Sequence, residues 1–334
     1  MYSKEFNYGR IAKVSGLSVA TISRVFNKSP LVKEDTRRKV ISAMAEIGMN
    51  PSDYDLQPLP ADNLILFNVM TLKNPFYSPI ISASIATAAR HGYTVVVNEF
   101  DIDEIGVEAF LRILKKTKAA GVIMVNSVDS KILDAISRVI PAVICCDDAS
   151  TTTPYVTIDN KRASEEAVRY LLSLGRRRIG FVNGPDNFKY SRSRAEGYQE
   201  ALRKEGIAVD RNLVTAVGPD MDFDTAKAAC MHMLTLPDRP DAFFCISDVL
   251  AAAAIKAALA YDLRVPEDVA VIGFDDILVA KMMNPTITTV RQPTAQIGTI
   301  ATEMLMKLIE GDESSPRSVC LDTELIIRES TRIV

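Results

Sequence analysis

The chain has no tryptophan, only two histidines and only 7% aromatic residues among its 334 positions. Its five cysteines show no Cys-x-x-Cys spacing and mostly lie in apolar runs, and neither His91 nor His232 has a set of potential metal ligands beside it. This pattern is typical of reduced cysteines in a core. We therefore expect no disulfide, no metal site and no cofactor.

Long apolar runs are also absent. No stretch reaches the ~18 uninterrupted apolar residues of a membrane span, and the first residues lack the apolar segment of a secretory signal. We therefore expect a cytoplasmic protein with no membrane partner. Enzyme signatures are missing as well: no Gly-x-Gly-x-x-Gly follows a strand, no Gly-x-Ser-x-Gly occurs, and no histidine is placed to act as a base. The sequence argues against an enzyme.

Positive charge is concentrated at the amino-terminal end. Residues 1–50 hold nine Lys/Arg and four Asp/Glu, whereas the remaining chain holds 30 and 38. Because phosphate neutralisation supplies most of the non-specific affinity for DNA, this distribution favours a protein that contacts DNA with one end. An ordinary solvated charged face would produce the same asymmetry.

Residues 11–27 have the pattern of a helix, a tight turn and a second helix. Ile11 and Val14 form a short apolar stripe on the first helix. Gly16 is placed to end that helix, and Ser18 is placed to cap the next one. This pattern predicts a helix-turn-helix, an outline that a small helical hairpin without a DNA role shares.

The second helix of this pair has two distinct faces. Ile22, Val25 and Phe26 fall on one face, and a third helix predicted over residues 34–47 can close a small core against it. The opposite face carries short and polar side chains, namely Ala20, Ser23, Arg24 and Asn27. Short side chains permit close approach to a major groove, where polar groups bond base edges and arginine reaches guanine or phosphate.

This region closely resembles the DNA-binding headpiece of the lactose-repressor/galactose-repressor (LacI/GalR) family. The resemblance is carried by the run 17–27, by Val32, Thr36 and Arg37, and by the ending Gly48-Met-Asn-Pro51. It implies a transcriptional regulator, expected to be a repressor, that binds a pseudo-palindromic operator. The residues expected to contact DNA are Ser18, Val19, Ala20, Thr21, Ser23, Arg24 and Asn27.

A polar, proline-containing linker is predicted over residues 51–61. The family has a hinge helix here that reads Ala-Arg-x-Leu, and its leucine enters the minor groove. The matching residues in this chain are Asp55-Leu56-Gln57-Pro58. We assign Leu56 to DNA contact, with Leu59 as the alternative after a register change. Because Pro58 interrupts a helix, we expect weaker or differently shaped minor-groove binding.

From Leu64 onward, apolar runs of strand length alternate with helical patterns, as in buried parallel sheets. The alternation restarts after Ile158 and indicates two α/β units. The last part of the chain predicts a helix over 296–309 and a final strand over 318–328, and periodicity does not decide which unit they join.

The resemblance implies that this body is a two-lobed α/β domain with parallel sheets, similar to periplasmic binding proteins, behind a small all-α headpiece. Its chain is expected to cross between the lobes three times. The predicted domains are the headpiece, 1–50, the linker, 51–61, and the effector-binding domain, 62–334, with lobe 1 at about 62–159 and 291–320 and lobe 2 at about 160–290 and 321–334.

Ligands of open α/β sheets bind beyond the carboxyl ends of the strands. The candidate effector-binding residues that follow the predicted strands are Phe76, Tyr77, Asn126, Asp147, Arg194, Phe223, Ser247 and Asp275. Carboxylates accept hydrogen bonds from vicinal hydroxyls and arginine donates to them, which favours a sugar or nucleoside. The segments 194–198 and 272–276 also resemble the family's Arg-x-x-Gly-aromatic and Gly-aromatic-Asp-Asp motifs, which contact the effector.

Alternatives remain for several of these residues and for the function. Phe76 and Phe223 fit a hydrophobic core equally well, and we interpret Asp248 and Asp276 as helix caps or first-turn acids. A solute-binding protein, cytoplasmic or exported, is the alternative to a regulator. The headpiece favours the regulator, and a homodimer is expected because paired half-sites require paired headpieces.

Overall fold

The computed structural model describes residues 8–27, 32, 34–49, 63–103, 106–125, 128–146, 153–312 and 316–332. The chain forms two compact units, Met1–Asn63 and Leu64–Val334.

The described part of the first unit contains three helices, α1 (Tyr8–Ser15), α2 (Val19–Phe26) and α3 (Glu34–Glu46). Gly16 adopts a φ of 69° directly after α1, in the left-handed region that glycine enters without a steric penalty. The predicted helix, tight turn and helix are therefore confirmed, and the third helix ends within one residue of its predicted end.

A small apolar core joins the three helices. Its buried members are Ile11, Ile22, Val25, Val40, Ala43 and Met44. Phe26 packs beside it, with its ring 5.1 Å from the ring of Tyr8 in an edge-to-face arrangement. The prediction for Val14 is wrong, because its side chain is 41% exposed. The inner face of α1 runs through Tyr8, Ile11 and Ala12, which leaves Val14 at its side.

The second unit contains two six-stranded sheets. The first sheet consists of β1 (Leu64–Val69), β2 (Thr94–Glu99), β3 (Gly121–Val125), β4 (Ala142–Cys145), β5 (Tyr155–Ile158) and β11 (Ser318–Leu321). The second consists of β6 (Ile179–Asn183), β7 (Val214–Ala216), β8 (Ala242–Cys245), β9 (Ala270–Asp275), β10 (Thr288–Arg291) and β12 (Glu324–Ile326).

The first sheet is wholly parallel in the order β11-β5-β4-β3-β1-β2. The second has the order β12-β10-β9-β8-β6-β7, and only its edge strand β12 is antiparallel to its neighbour. Strands such as β3, β6 and β9 are buried along their whole length, as expected for sheets covered on both faces.

Helices cover both sheets and define two lobes. Lobe 1 is the first sheet with α4 (Tyr77–Arg90), α5 (Val107–Thr117), α6 (Ser130–Ser137) and α12 (Thr294–Glu310). Lobe 2 is the second sheet with α7 (Asn160–Ser173), α8 (Lys189–Lys204), α9 (Phe223–Leu234), α10 (Asp248–Ala260) and the short α11 (Leu278–Met282). The chain passes between the lobes after β5, after β10 and after β11.

The single final strand predicted over residues 318–328 is wrong. Ser318–Leu321 pairs with β5 in lobe 1, whereas Glu324–Ile326 pairs with β10 in lobe 2. Asp322 and Thr323 lie between them outside any strand, where the chain passes from one lobe to the other. The continuous apolar pattern hides this break because both pieces are strands.

Two absences hold for the part of the chain that the structure describes. No helix there is long and apolar enough to cross a membrane. No group of three or more His, Cys, Asp or Glu side chains in the described ranges is arranged to hold a metal ion.

Candidate DNA-binding face and effector cleft

Ser18 fixes the start of the second helix of the headpiece. Its Oγ accepts a hydrogen bond from the backbone N–H of Thr21 at 3.1 Å, and the two hydroxyls lie 2.8 Å apart. This satisfies an N–H group that would otherwise lack a partner in the first turn of α2. The predicted cap is confirmed.

The predicted DNA-binding residues lie along the side of α2 that the core leaves uncovered. Val19 is 49% exposed, and Ser18, Ala20, Arg24 and Asn27 are also exposed. Thr21 and Ser23 are half-buried, and the Asn27 side-chain amide donates to Ser23 Oγ at 3.4 Å. Leu56 lies outside the described residues, so its role in minor-groove binding stays a prediction.

The second unit has a cleft between its two lobes. Its empty space is about 360 Å³ with the open mouth included. Five predicted effector-binding residues line it, namely Phe76, Tyr77, Arg194, Ser247 and Asp275. The other lining residues are Asn74, Cys146, Tyr190, Met221, Ile246 and Gln292. Of these, the sequence indicates only Asn74, which lies in the run that follows the first strand.

The other three predicted residues are not among the described residues that line the cleft. Asn126 and Asp147 lie outside the described residues. Phe223 does not belong to the described lining: Asp222 caps α9 by accepting from Thr225 N at 2.7 Å, so Phe223 becomes the first residue of that helix and packs against the core of lobe 2. For Phe223, the core interpretation matches its observed packing.

Arg194 is a buried cation held in a fixed orientation. Its Nε donates to Asn160 Oδ1 at 2.9 Å and one terminal nitrogen donates to the Ile246 carbonyl at 2.7 Å. Its guanidinium lies 3.6 Å from the centre of the Phe274 ring, a cation–π arrangement. Burial lowers the pKa of Arg194, and the negative charge of Asp275 acts in the opposite direction.

Asp275 is the buried carboxyl of the same cleft. Its Oδ1 accepts from Gln292 Nε2 at 2.7 Å. Burial raises the pKa of Asp275 to about 7, and the positive charge of Arg194 and the hydrogen bond from Gln292 limit the rise. Neutral pH therefore leaves this carboxyl close to its titration midpoint, and a ligand that donates hydroxyl hydrogens to it favours the ionised form.

The cleft wall includes three non-glycine residues with left-handed backbone. Cys146 has a φ of 65°, Met221 of 53° and Asp275 of 105°. Such conformations cost about 1–3 kcal/mol each and persist only where surrounding contacts impose them, often at ligand sites. Cys146 directly follows β4 and Asp275 ends β9, whereas Met221 lies in the connection between β7 and α9.

The two other acids of the cleft region have different environments. The first-turn interpretation of Asp248 is confirmed, since it begins α10 directly after the capping residue Ser247. For Asp276 it is wrong: its carboxylate, 4% exposed, forms ion pairs with Arg328 and with Arg291, whose Nε lies 2.7 Å away. These arginines hold the pKa of Asp276 below its usual range.

Comparisons with known proteins agree with this architecture. Residues 10–52 match the description "Bacterial regulatory proteins, lacI family", and residues 168–331 match "Periplasmic binding protein-like domain". The HTH-type transcriptional repressor CytR of Escherichia coli (strain K12) is 33% identical over 328 residues, which cover 96% of this chain and 95% of that protein. The chain belongs to the lacI family of bacterial regulatory proteins.

Further lacI-family members are similar over nearly the whole chain. The ribose operon repressor of Halalkalibacterium halodurans is 31% identical over 324 residues, 96% of each chain. A solved transcriptional regulator CelR–cellobiose complex is 29% identical with a TM-score of 0.72, and the match covers 98% of this chain and 100% of that one.

Family membership decides the general function. The chain is a DNA-binding transcriptional regulator, and the interpretation that it is not an enzyme is confirmed because the family consists of regulators. The resemblance to this family and the two-part fold class are likewise confirmed. A solute-binding protein without a regulatory role is not supported by these relatives.

Proposed function

We propose that this lacI-family protein is a repressor whose affinity for its operator is set by a sugar or nucleoside bound between the two lobes. The observation that carries the proposal is the pairing of Arg194 and Asp275 in one cleft. A guanidinium donates to hydroxyl oxygens and a carboxylate accepts from hydroxyl hydrogens, so together they bind vicinal hydroxyls.

The rest of the lining supports a ligand of this class. Phe76, Tyr77 and Tyr190 offer aromatic surface for a sugar face or a base, and Asn74 and Gln292 offer amides. One relative is named for the ribose operon, and one solved relative was obtained with cellobiose. We extend the sugar class to this chain and add nucleosides, because aromatic rings can stack on a base.

The proposed DNA contacts are the exposed residues of α2. Val19 and Ala20 are assigned to apolar contact with thymine methyl groups, Ser23 and Asn27 to base edges, and Arg24 to guanine or phosphate. Leu56 is assigned to the minor groove. The domain assignment proposed with them is a headpiece at 1–50, a linker at 51–61 and an effector-binding domain at 62–334.

A homodimer is proposed because a pseudo-palindromic operator has two equivalent half-sites. The support lies on α11, where Leu278 and Met282 are 69% and 73% exposed and, four residues apart, share one face of the helix. Two exposed apolar side chains on one short helix suit a self-complementary contact with a second copy. We place the regulator in the cytoplasm, where its DNA target lies.

Selection of binding sites with the full-length protein tests the DNA half of the proposal. It should return a pseudo-palindrome whose half-sites are about 10 base pairs apart or a multiple of that spacing. Arg24→Ala should weaken binding by about 1–3 kcal/mol and relax specificity at one base pair of each half-site. A selected site without two-fold symmetry would contradict the proposed dimer.

A thermal-shift panel of D-ribose, cellobiose, adenosine and cytidine tests the effector half. A true effector should raise the melting temperature of the wild type and lose that effect in Arg194→Ala and Asp275→Ala. Ligands that stabilise both variants as much as the wild type would place the effector elsewhere.

A further inference from the structure

The carboxyl group of Asp248 is buried beside the effector cleft but is not among the described residues that line it. Its side chain is fully buried, and Oδ2 accepts a hydrogen bond from the backbone N–H of Ile277 at 2.8 Å. Oδ1 makes no hydrogen bond within the described ranges and lies against Gly273, where a side-chain carbon would overlap it. A buried carboxyl in this position calls for an explanation, because its burial costs free energy.

The amide that Asp248 binds ends an unusual turn. Asp275 and Asp276, the two residues before Ile277, have φ values of 105° and 56°, both in the region that disfavours side chains. Other contacts restrain this turn: Thr289 Oγ1 accepts from Asp276 N at 3.3 Å, and Gln292 binds the Asp275 carboxylate. Asp248 restrains the far end of the turn, at Ile277, so the direction of the Asp275 side chain depends on Asp248.

The side chain of Ile277 reaches the other lobe. It is buried in the hydrophobic cluster of lobe 1, which also contains Phe76 and Tyr77 of the cleft wall. Its backbone N–H is bound by Asp248 of lobe 2. One hydrogen bond therefore fixes both the residue that follows the effector-binding turn and an apolar contact between the lobes.

The charge state of Asp248 defines a conservative replacement. Burial raises the pKa of Asp248 well above its usual range, the charges of Asp275 and Asp276 raise it further, and the Thr289 hydroxyl and the Ile277 amide oppose them. Burial therefore favours the neutral form of this carboxyl. An asparagine has nearly the same shape and retains the oxygen that accepts from Ile277.

We propose that Asp248 is a positioning residue for effector binding: by holding the Ile277 amide, it keeps the Asp275 carboxylate aimed into the cleft and ties that turn to lobe 1. This role of Asp248 rests on the proposed function only because the cleft is taken as the effector site. Asp248 itself is not among the described residues that line the cleft, and the proposed function assigns it no role.

Four variants of the full-length protein separate positioning from general stability. Asp248→Ala removes the acceptor, and Asp248→Asn retains it. Gly273→Ala displaces the carboxyl without removing it. Thr302→Val is the matched control, because it deletes another fully buried hydrogen bond, from Thr302 Oγ1 to the Gly298 carbonyl, in lobe 1.

Two readouts are measured. Calorimetric titration uses whichever of D-ribose, cellobiose, adenosine and cytidine binds the wild type in an Asp275-dependent manner. Hydrogen exchange at the Ile277 amide needs no effector. Loss of one buried hydrogen bond should weaken effector binding about tenfold and accelerate this exchange about tenfold in Asp248→Ala. Asp248→Asn and Thr302→Val should stay within about threefold of the wild type in both measurements.

Unchanged effector affinity in Asp248→Ala, with binding still lost in Asp275→Ala, would overturn the inference, as would unchanged exchange at Ile277. If Asp248→Ala does not fold, the other two variants decide: the inference requires that Gly273→Ala weakens effector binding and that Asp248→Asn does not. If no ligand of the panel binds, the proposed function fails. Hydrogen exchange at the Ile277 amide then still tests whether Asp248 holds that amide.

Discussion

Replacing Asp275 by asparagine should stabilise the protein relative to the wild type as the pH rises, while it removes effector binding. Asp275 is 7% exposed, and burial raises the pKa of its carboxyl to about 7 from the usual 3.8. Between these two pH values the folded chain binds more protons at this site than the unfolded chain. The contribution of this site to the free energy of unfolding is therefore complete below pH 3.8 and falls as the pH rises toward 7.

The size of the effect follows from linkage. At about 1.36 kcal/mol per pKa unit, the wild type should lose roughly 2–3 kcal/mol of stability through this group between pH 5 and pH 8. Asp275→Asn lacks the titration, so its stability should fall by that much less over the same interval. Because the group is almost wholly buried, solvent screening does not reduce the figure further.

Urea unfolding of the effector-free wild type and of Asp275→Asn at pH 5, 6, 7 and 8 measures this difference directly. The charge of Asp275 also raises the pKa of Asp248, so the difference between the two proteins reports the Asp275 carboxyl together with its coupling to Asp248. Parallel pH profiles for the two proteins would show that the folded state does not disfavour the ionised carboxylate, contrary to this prediction.

Three other predictions follow from the cleft and the surface. Arg194→Lys should weaken effector binding about 10- to 100-fold by titration calorimetry, since an ammonium cannot keep the fork of charged hydrogen bonds; retained affinity would exclude a contact through the guanidinium. Bound effector should slow alkylation of the Cys146 thiol, which lines the cleft, as measured by mass spectrometry in a Cys320→Ser background. Cys145 is the unreactive control, because burial raises the pKa of its thiol. Equal alkylation with and without effector would place the ligand elsewhere. Leu278→Glu should raise the dimer dissociation constant at least tenfold in sedimentation, and an unchanged constant would exclude α11 from the interface.

The headpiece was largely predictable because each local signal agrees with the others. Gly16 ends one helix, Ser18 caps the next, and Ile22 and Val25 both face the core. The prediction that Val14 belongs to the inner apolar stripe was wrong because apolar spacing on an eight-residue helix does not locate the centre of the buried face.

In the body, strand positions were predictable and helix starts were less so. The apolar periodicity of α7 starts at Ala163, but the helix begins at Asn160, because Asp159 caps it by accepting from Arg162 N at 2.9 Å. Apolar periodicity detects only the part of a helix that faces the core, and a polar first turn precedes that part. The same cause moved Phe223 from an expected loop into a helix.

The cleft could be predicted where a lining residue follows a clear strand. Arg194 and Asp275 were identified in this way, together with their motifs. Gln292 was missed because β10, Thr-Thr-Val-Arg, lacks an apolar run and was not predicted as a strand. Cys146 and Met221 were missed because their left-handed backbone leaves no signal in a non-glycine residue.

Control of operator binding by the effector is tested most directly by measuring operator affinity with and without a saturating effector, on the full-length protein and a selected site. Operator affinity should change by at least about fivefold in either direction, and effector affinity should change by the same factor when operator is bound. Arg194→Ala should bind the operator normally and show no effector response. An operator affinity that stays the same in the presence of a ligand bound at Arg194 and Asp275 would contradict the account.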